Sequence, residues 1–170
     1  MKLVRSLGLP LLIFTAIVVQ RTAIGEATIA GVHPDFVLLM VAAIGATRGR
    51  ETGALTGFFA GLVVDSFVTT PFGLSALVYA IAGYLAGEVE RFSDAQPLTL
   101  RILLVGGASL AGEALLSVAL FLLGLGDPFK GSSLEEIVVV GGVNLMLAPA
   151  ALLLARLVFG PGPLLVSERR

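Results

Sequence analysis

The sequence predicts an all-α, polytopic membrane helical bundle, and three observations predict it. Of its 170 residues, 56% are hydrophobic and only 14% are charged. The mean hydropathy is +1.00. Apolar stretches recur along the whole length. A water-soluble globule needs more polar surface than this composition supplies, so the natural solvent is a bilayer.

Breaking the apolar stretches at charges, prolines and glycine pairs gives six candidate spans in a single domain over residues 1–170, each judged against the roughly 20 residues a helix needs to cross hydrocarbon. The first, Leu7 to Ile24, follows the basic start MKLVRS. It reads as a retained anchor rather than a cleaved leader, because further apolar segments follow it. The second, Pro34 to Thr47, is short. Pro34 suits a first helical turn, and Asp35 complements the positive helix end. Continued through Arg48 to Arg50, this helix reaches about 25 Å at 1.5 Å per residue, enough with thinning or snorkelling. The third runs from Thr52 to Val68, the fourth from Phe72 to Gly87, the fifth from Leu98 to Leu125 and the sixth from Ile137 to Phe159.

A re-entrant second segment is the alternative, and charge placement separates the two. Six crossings with cytoplasmic N and C termini put nine of the eleven basic residues inside, leaving only Arg21 and Lys130 outside. If the second segment turns back, only Lys2, Arg5 and Lys130 remain inside. The positive-inside rule therefore favours six transmembrane helices. The external connections, Gly25 to His33, Thr69 to Pro71 and Gly126 to Glu136, are too short to fold as domains. So is the longest internal link, "EVERFSDAQPL". No internal repeat joins the two halves, which argues against an inverted-repeat transporter.

The composition also excludes chemistry. With no cysteine and one histidine, His33, there is no disulfide framework, thiol nucleophile or zinc site. No G-x-S-x-G elbow, H-E-x-x-H pair or phosphate-cradling G-x-x-x-x-G-K is present, and the net charge of −1 gives no sign of nucleic acid. The expected protein is not an enzyme and carries no cofactor.

The most patterned stretch is "GALTGFFAGLVVD", where Gly53, Gly57 and Gly61 stand four residues apart and Asp65 closes the series. Between helices in lipid the drive is close packing, and glycine lets backbones approach. The ladder therefore packs either the bundle itself or another protein's helix. Ala76, Ala80, Gly83 and Gly87 of the fourth segment, and Gly107, Ala108, Ala111 and Gly112 of the fifth, are candidate opposing surfaces. Asp65 falls in a last helical turn, where the dipole disfavours a carboxylate. It needs compensation from solvent, from Arg21, Lys130 or His33, or from a partner. Glu113 is deep in the fifth span and Asn144 is in the sixth. A neutral Glu113–Asn144 contact, a proton- or ligand-binding role and an intermolecular contact all fit a carboxyl at that depth. Tyr79 and Tyr84 read as packing and interfacial anchors.

Residues 33 to 90 carry a resemblance. Pro34 and Asp35, the arginine turn at Arg48, "GFFAGLVVD" ending in Asp65, and "FGLSALVYAIAGY" from Phe72 to Tyr84 resemble, in order and spacing, the rod shape-determining MreD family of bacteria. The resemblance implies a non-enzymatic integral component of the inner-membrane cell-elongation machinery. It implies that the protein binds the bitopic protein MreC and acts with MreB, the RodA glycosyltransferase and a class B penicillin-binding protein in sidewall peptidoglycan synthesis. Asp35, Asp65 and the ladder are then the sensitive positions. The six-helix plan is also similar to the substrate-capturing subunits of energy-coupling-factor vitamin transporters. That likeness implies a competing role, small-ligand binding, with Glu113, Asn144 and Tyr79 converging in an externally open cavity.

Overall fold

The computed structural model describes residues 35–88, 97–125 and 131–159, the last stretch with side chains for 138–158. The first expected span, Leu7 to Ile24, and Arg21, His33, Pro34 and Lys130 lie outside the described residues. Among the described residues every regular element is helical: α1 (Phe36–Arg48), α2 (Arg50–Asp65), α3 (Leu74–Glu88), α4 (Leu98–Leu122) and α5 (Gly131–Phe159). Leu98–Leu122 and Val138–Val158 are long and apolar enough to cross a membrane, while Phe36–Arg48 and Leu74–Glu88 are shorter apolar helices.

The short helix α1 is the hub. It packs against all four of the others, and every residue from Val37 to Thr47 is buried. An apolar helix buried on every side needs no amphipathic stripe, which is why "FVLLMVAAIGA" has none. Its few polar groups are satisfied locally. The Asp35 carboxylate accepts the Leu38 N–H at 2.9 Å as an N-cap. At the other end Thr47 Oγ1 donates back to the Ala43 carbonyl at 2.9 Å.

The helix does not continue through Arg48 to Arg50, as the sequence allowed. Gly49, at φ 89° and ψ 167°, breaks it and starts α2 one residue later. A side chain at that left-handed φ would be strained. The break leaves α1 about 20 Å long at 1.5 Å per residue, so the chain reverses between two arginines.

α2 and α3 form the most closely packed helix pair. The turn 66–73 between them exposes Phe67 and Phe72, at 62% and 70%. α4 and α5 pair with each other and lean on α1 with one face. Much of their apolar surface is open, including Leu103, Leu122, Val138, Met146 and Leu157.

Candidate functional site

The glycine ladder faces α3. A Cβ placed on Gly57 would overlap the Tyr79 carbonyl, one on Gly61 would overlap the Ala76 backbone, and one on Gly53 would sit 2.7 Å from Gly45 Cα as well as against Gly83. Gly83 and Gly87 return the contact, meeting the Gly53 carbonyl and the Arg50 backbone. The seam is therefore backbone against backbone, the closest approach two helices can make. Ala76, Ala80, Gly83 and Gly87 of the fourth segment all belong to this opposing surface, the Ala80 N lying 2.8 Å from a Cβ on Gly57. The fifth-segment residues do not supply one. Gly107 has no atom within 4 Å of a notional Cβ, and Gly112 takes up Leu38 of α1 and Ala82 of α3.

Asp65 gets its compensation from backbone. Its carboxylate accepts the Gly73 N–H at 2.8 Å, the Ser75 N–H at 3.2 Å and the Ala76 N–H at 3.3 Å. These are donors that the start of α3 cannot pair internally. A residue placed badly for its own helix dipole is thus placed well for the next one. Asp65 is 3% exposed, so this cap is a buried bond from α2 to α3. At the opposite end of the pair, Arg50 Nη1 contacts both oxygens of Glu88 at 2.9 and 3.2 Å, and its guanidinium lies 5.7 Å from the Tyr84 ring centroid. Ladder, cap and ion pair together close the α2–α3 hairpin along its full length.

A second polar cluster forms where α1 begins. The Tyr79 hydroxyl of α3 donates to Asp35 Oδ2. The Asn144 amide of α5 donates to Ser109 Oγ of α4 at 2.6 Å and leans on the Asp35 carbonyl at 3.4 Å. Four helices thereby meet through hydrogen bonds at one point. Ser109 and Asn144 are both 0% exposed, and Asp35 and Tyr79 are nearly so. Asn144 Oδ1 has no hydrogen-bond partner, an orphaned acceptor of a kind uncommon in folded proteins.

The Asn144 amide nitrogen thus bonds to Ser109 and Asp35 rather than to Glu113, in contrast to the pairing that depth alone suggested. Glu113 stands one turn beyond Ser109 on α4, partly buried, and with Asp35 and Asp65 it acts electrostatically on Tyr79. Ser109 is the member that sequence reasoning did not place, and Tyr79 comes beside Asn144 there only under the ligand-binding alternative. Its bond to Asp35 was not foreseen and Ser109 gave no signal, since the partners of the two are 44 and 35 residues away in the chain. Among the described residues there is no group of three or more His, Cys, Asp or Glu side chains arranged for a metal ion.

A protein-family model described as rod shape-determining protein MreD matches residues 2–158. No curated protein and no solved structure gives a significant match. The matched range takes in every described helix nearly to its end, so the chain belongs to the MreD family, and its role is in rod shape determination.

Proposed function

We propose that this member of the MreD family is a non-enzymatic scaffold of the bacterial elongation complex, holding the transmembrane segment of an MreC-like bitopic protein against a rigid hairpin. MreB filaments, RodA and a class B penicillin-binding protein are reached indirectly through that assembly, which directs sidewall peptidoglycan synthesis. The proposal includes a location in the inner membrane and six spans with both termini cytoplasmic. Support for that topology comes from the distribution of the eleven basic residues and from the two membrane-capable helices. The kinship of fold with energy-coupling-factor substrate subunits belongs to the same proposal, and an experimental structure superposed on them tests it.

The observation that carries the scaffold reading is the outer face of α2. Its inner face is filled by α3, so the ladder itself has no room for a partner helix. Outward, Leu55 and Phe59 are each 62% exposed, Phe58 stacks edge-on against Phe59 with centroids 5.6 Å apart, and Val63 extends the strip. A helix held along its length by backbone contacts presents such a strip in a fixed shape, which lowers the entropy cost of docking another helix.

The test is site-specific photo-crosslinking from Leu55, Phe59 and Val63 in membranes containing the MreC-like protein. Adducts from these positions, and none from Leu103 or Met146 on the α4–α5 surface, support the reading. Adducts confined to α4 and α5, or failure of the two proteins to copurify, would overturn it.

A further inference from the structure

The two sides of the bundle differ in height. α4 has 25 residues, about 37 Å at 1.5 Å per residue, and the apolar stretch Val138–Val158 of α5 has 21, about 31 Å. Either one can tilt to fit the roughly 30 Å of a hydrocarbon core. α2 has 16 residues and α3 has 15, about 24 and 22 Å. Tilting does not help a short helix, because it only lowers the height further. Nor can the two helices slide past each other to make up the difference. Their seam joins backbone to backbone at Gly53, Gly57 and Gly61, the Asp65 carboxylate holds one end, and the Arg50–Glu88 pair holds the other.

The outside of the hairpin shows where its apolar height stops. Arg50 and Glu88 are partly exposed, and Glu51 beside them is exposed. A carboxylate on so short a side chain needs headgroups or water close to its own backbone, so this end lies at a membrane boundary. Leu77, Ile81 and Leu85 of α3, exposed by 58%, 37% and 51%, form an outward aliphatic strip. Exposed Tyr84 borders it on the charged side, and exposed Phe72 of the turn borders it on the other. Aliphatic residues between two aromatic borders are the profile of a surface that faces lipid. Here the borders are only on the order of 20 Å apart.

We propose that the outer face of α3 is a lipid-binding surface for acyl chains shorter than oleoyl, and that the bilayer beside the hairpin is thinned to about 24 Å. The charged end cannot be drawn into hydrocarbon and the hairpin cannot lengthen, so the lipid makes up the shortfall of about 6 Å. A chain with such a face collects where short acyl chains are abundant, since mismatch sorts proteins among membranes of different thickness. The surface belongs to α3, so it leaves the outer face of α2 to a partner helix and holds whatever covers that strip.

The experiment uses the full chain in phosphatidylcholine vesicles with tryptophan as the reporter, because the chain has none of its own. Leu77→Trp and Ile81→Trp place it on α3, while Met146→Trp, at an 83% exposed position of α5, places it on the taller side. Quenching by brominated dioleoyl lipid is competed with unbrominated dimyristoleoyl or dierucoyl lipid. At both α3 positions the shorter lipid should displace the brominated one roughly twofold better than the longer lipid does, and at Met146 that advantage should vanish. The same preference at all three positions, its absence at either α3 position, or α3 tryptophans that brominated lipid does not quench because a second copy covers them, would overturn the proposal. No partner protein is present in the vesicles, so this outcome and that of the scaffold test are read separately.

Discussion

The α2–α3 hairpin and the α4–α5 pair are built from similar residues and behave as different materials. In α2–α3 the glycines meet backbone, and the turn and the open end are each closed by a carboxylate. In α4–α5 two glycines meet a leucine side chain first: Gly106 takes up Leu145, whose Cα follows at 3.2 Å, and Gly141 takes up Leu110. A leucine tip can change rotamer for a modest cost, whereas a carbonyl in a helix cannot move without its helix. The first pair is therefore rigid and the second can adjust. Small residues in a membrane segment do not by themselves reveal which kind of seam they make.

The largest effect expected on this contrast comes from Gly57→Leu. The new side chain starts inside the space of the Tyr79 carbonyl, so α2 and α3 must separate along the whole seam. The cost should exceed about 3 kcal/mol, beyond the usual range for overpacking. Titration of the purified protein with sodium dodecyl sulfate, followed by circular dichroism, measures it. Gly106→Ala on the other pair meets Leu145 Cδ1 first and should cost less than half as much. Equal losses at the two positions would mean that the pairs do not differ in rigidity.

Asp65→Ala comes next. Only the Gly73 contact, at 2.8 Å, is a short bond; those from Ser75 and Ala76 are 3.2 and 3.3 Å, so three full bonds should not be counted. Leaving these buried donors without an acceptor should cost about 2–3 kcal/mol. Asp65→Asn keeps an acceptor and should recover about half of that. Amide hydrogen exchange localises the effect: residues 73–76 should lose protection before the middle of α3 does. If exchange rises evenly over α2 and α3, the carboxylate stabilises the hairpin by some route other than capping.

What the sequence made legible follows the same division. The ladder is readable because its period is local, four residues along one helix. That Asp65 required compensation is also readable from its place in a last turn. The compensating groups are not, because they are backbone amides eight to eleven residues later, and every residue but proline has one. The Asp35–Tyr79 and Ser109–Asn144 bonds join residues 44 and 35 apart, where no periodicity points. Likewise neither α1 nor α4 has a continuous polar stripe, so pattern cannot say that α1 is wholly enclosed while much of α4 faces outward. That difference depends on which helices surround each one, and it appears only when the chain is assembled.

The smallest expected effect is the sharpest test of the contrast. Gly107 sits in the interior of α4 with open space where a Cβ would go. Its glycine therefore has no packing role among the described residues, and there it carries only the entropic penalty of glycine in a helix. Gly107→Ala should be neutral or stabilising by up to about 1 kcal/mol, and Gly107→Leu should be nearly as well tolerated, because lipid accommodates a leucine. The measurement is the same detergent titration, run on the purified chain and then on membranes from cells that contain the whole elongation machinery. Tolerance in both settings means this face of α4 meets only lipid. A Gly107→Leu chain that folds normally alone but fails to assemble or to support rod shape would show that another protein covers α4 there. In that case the adjustable pair, not the rigid one, would be the docking side.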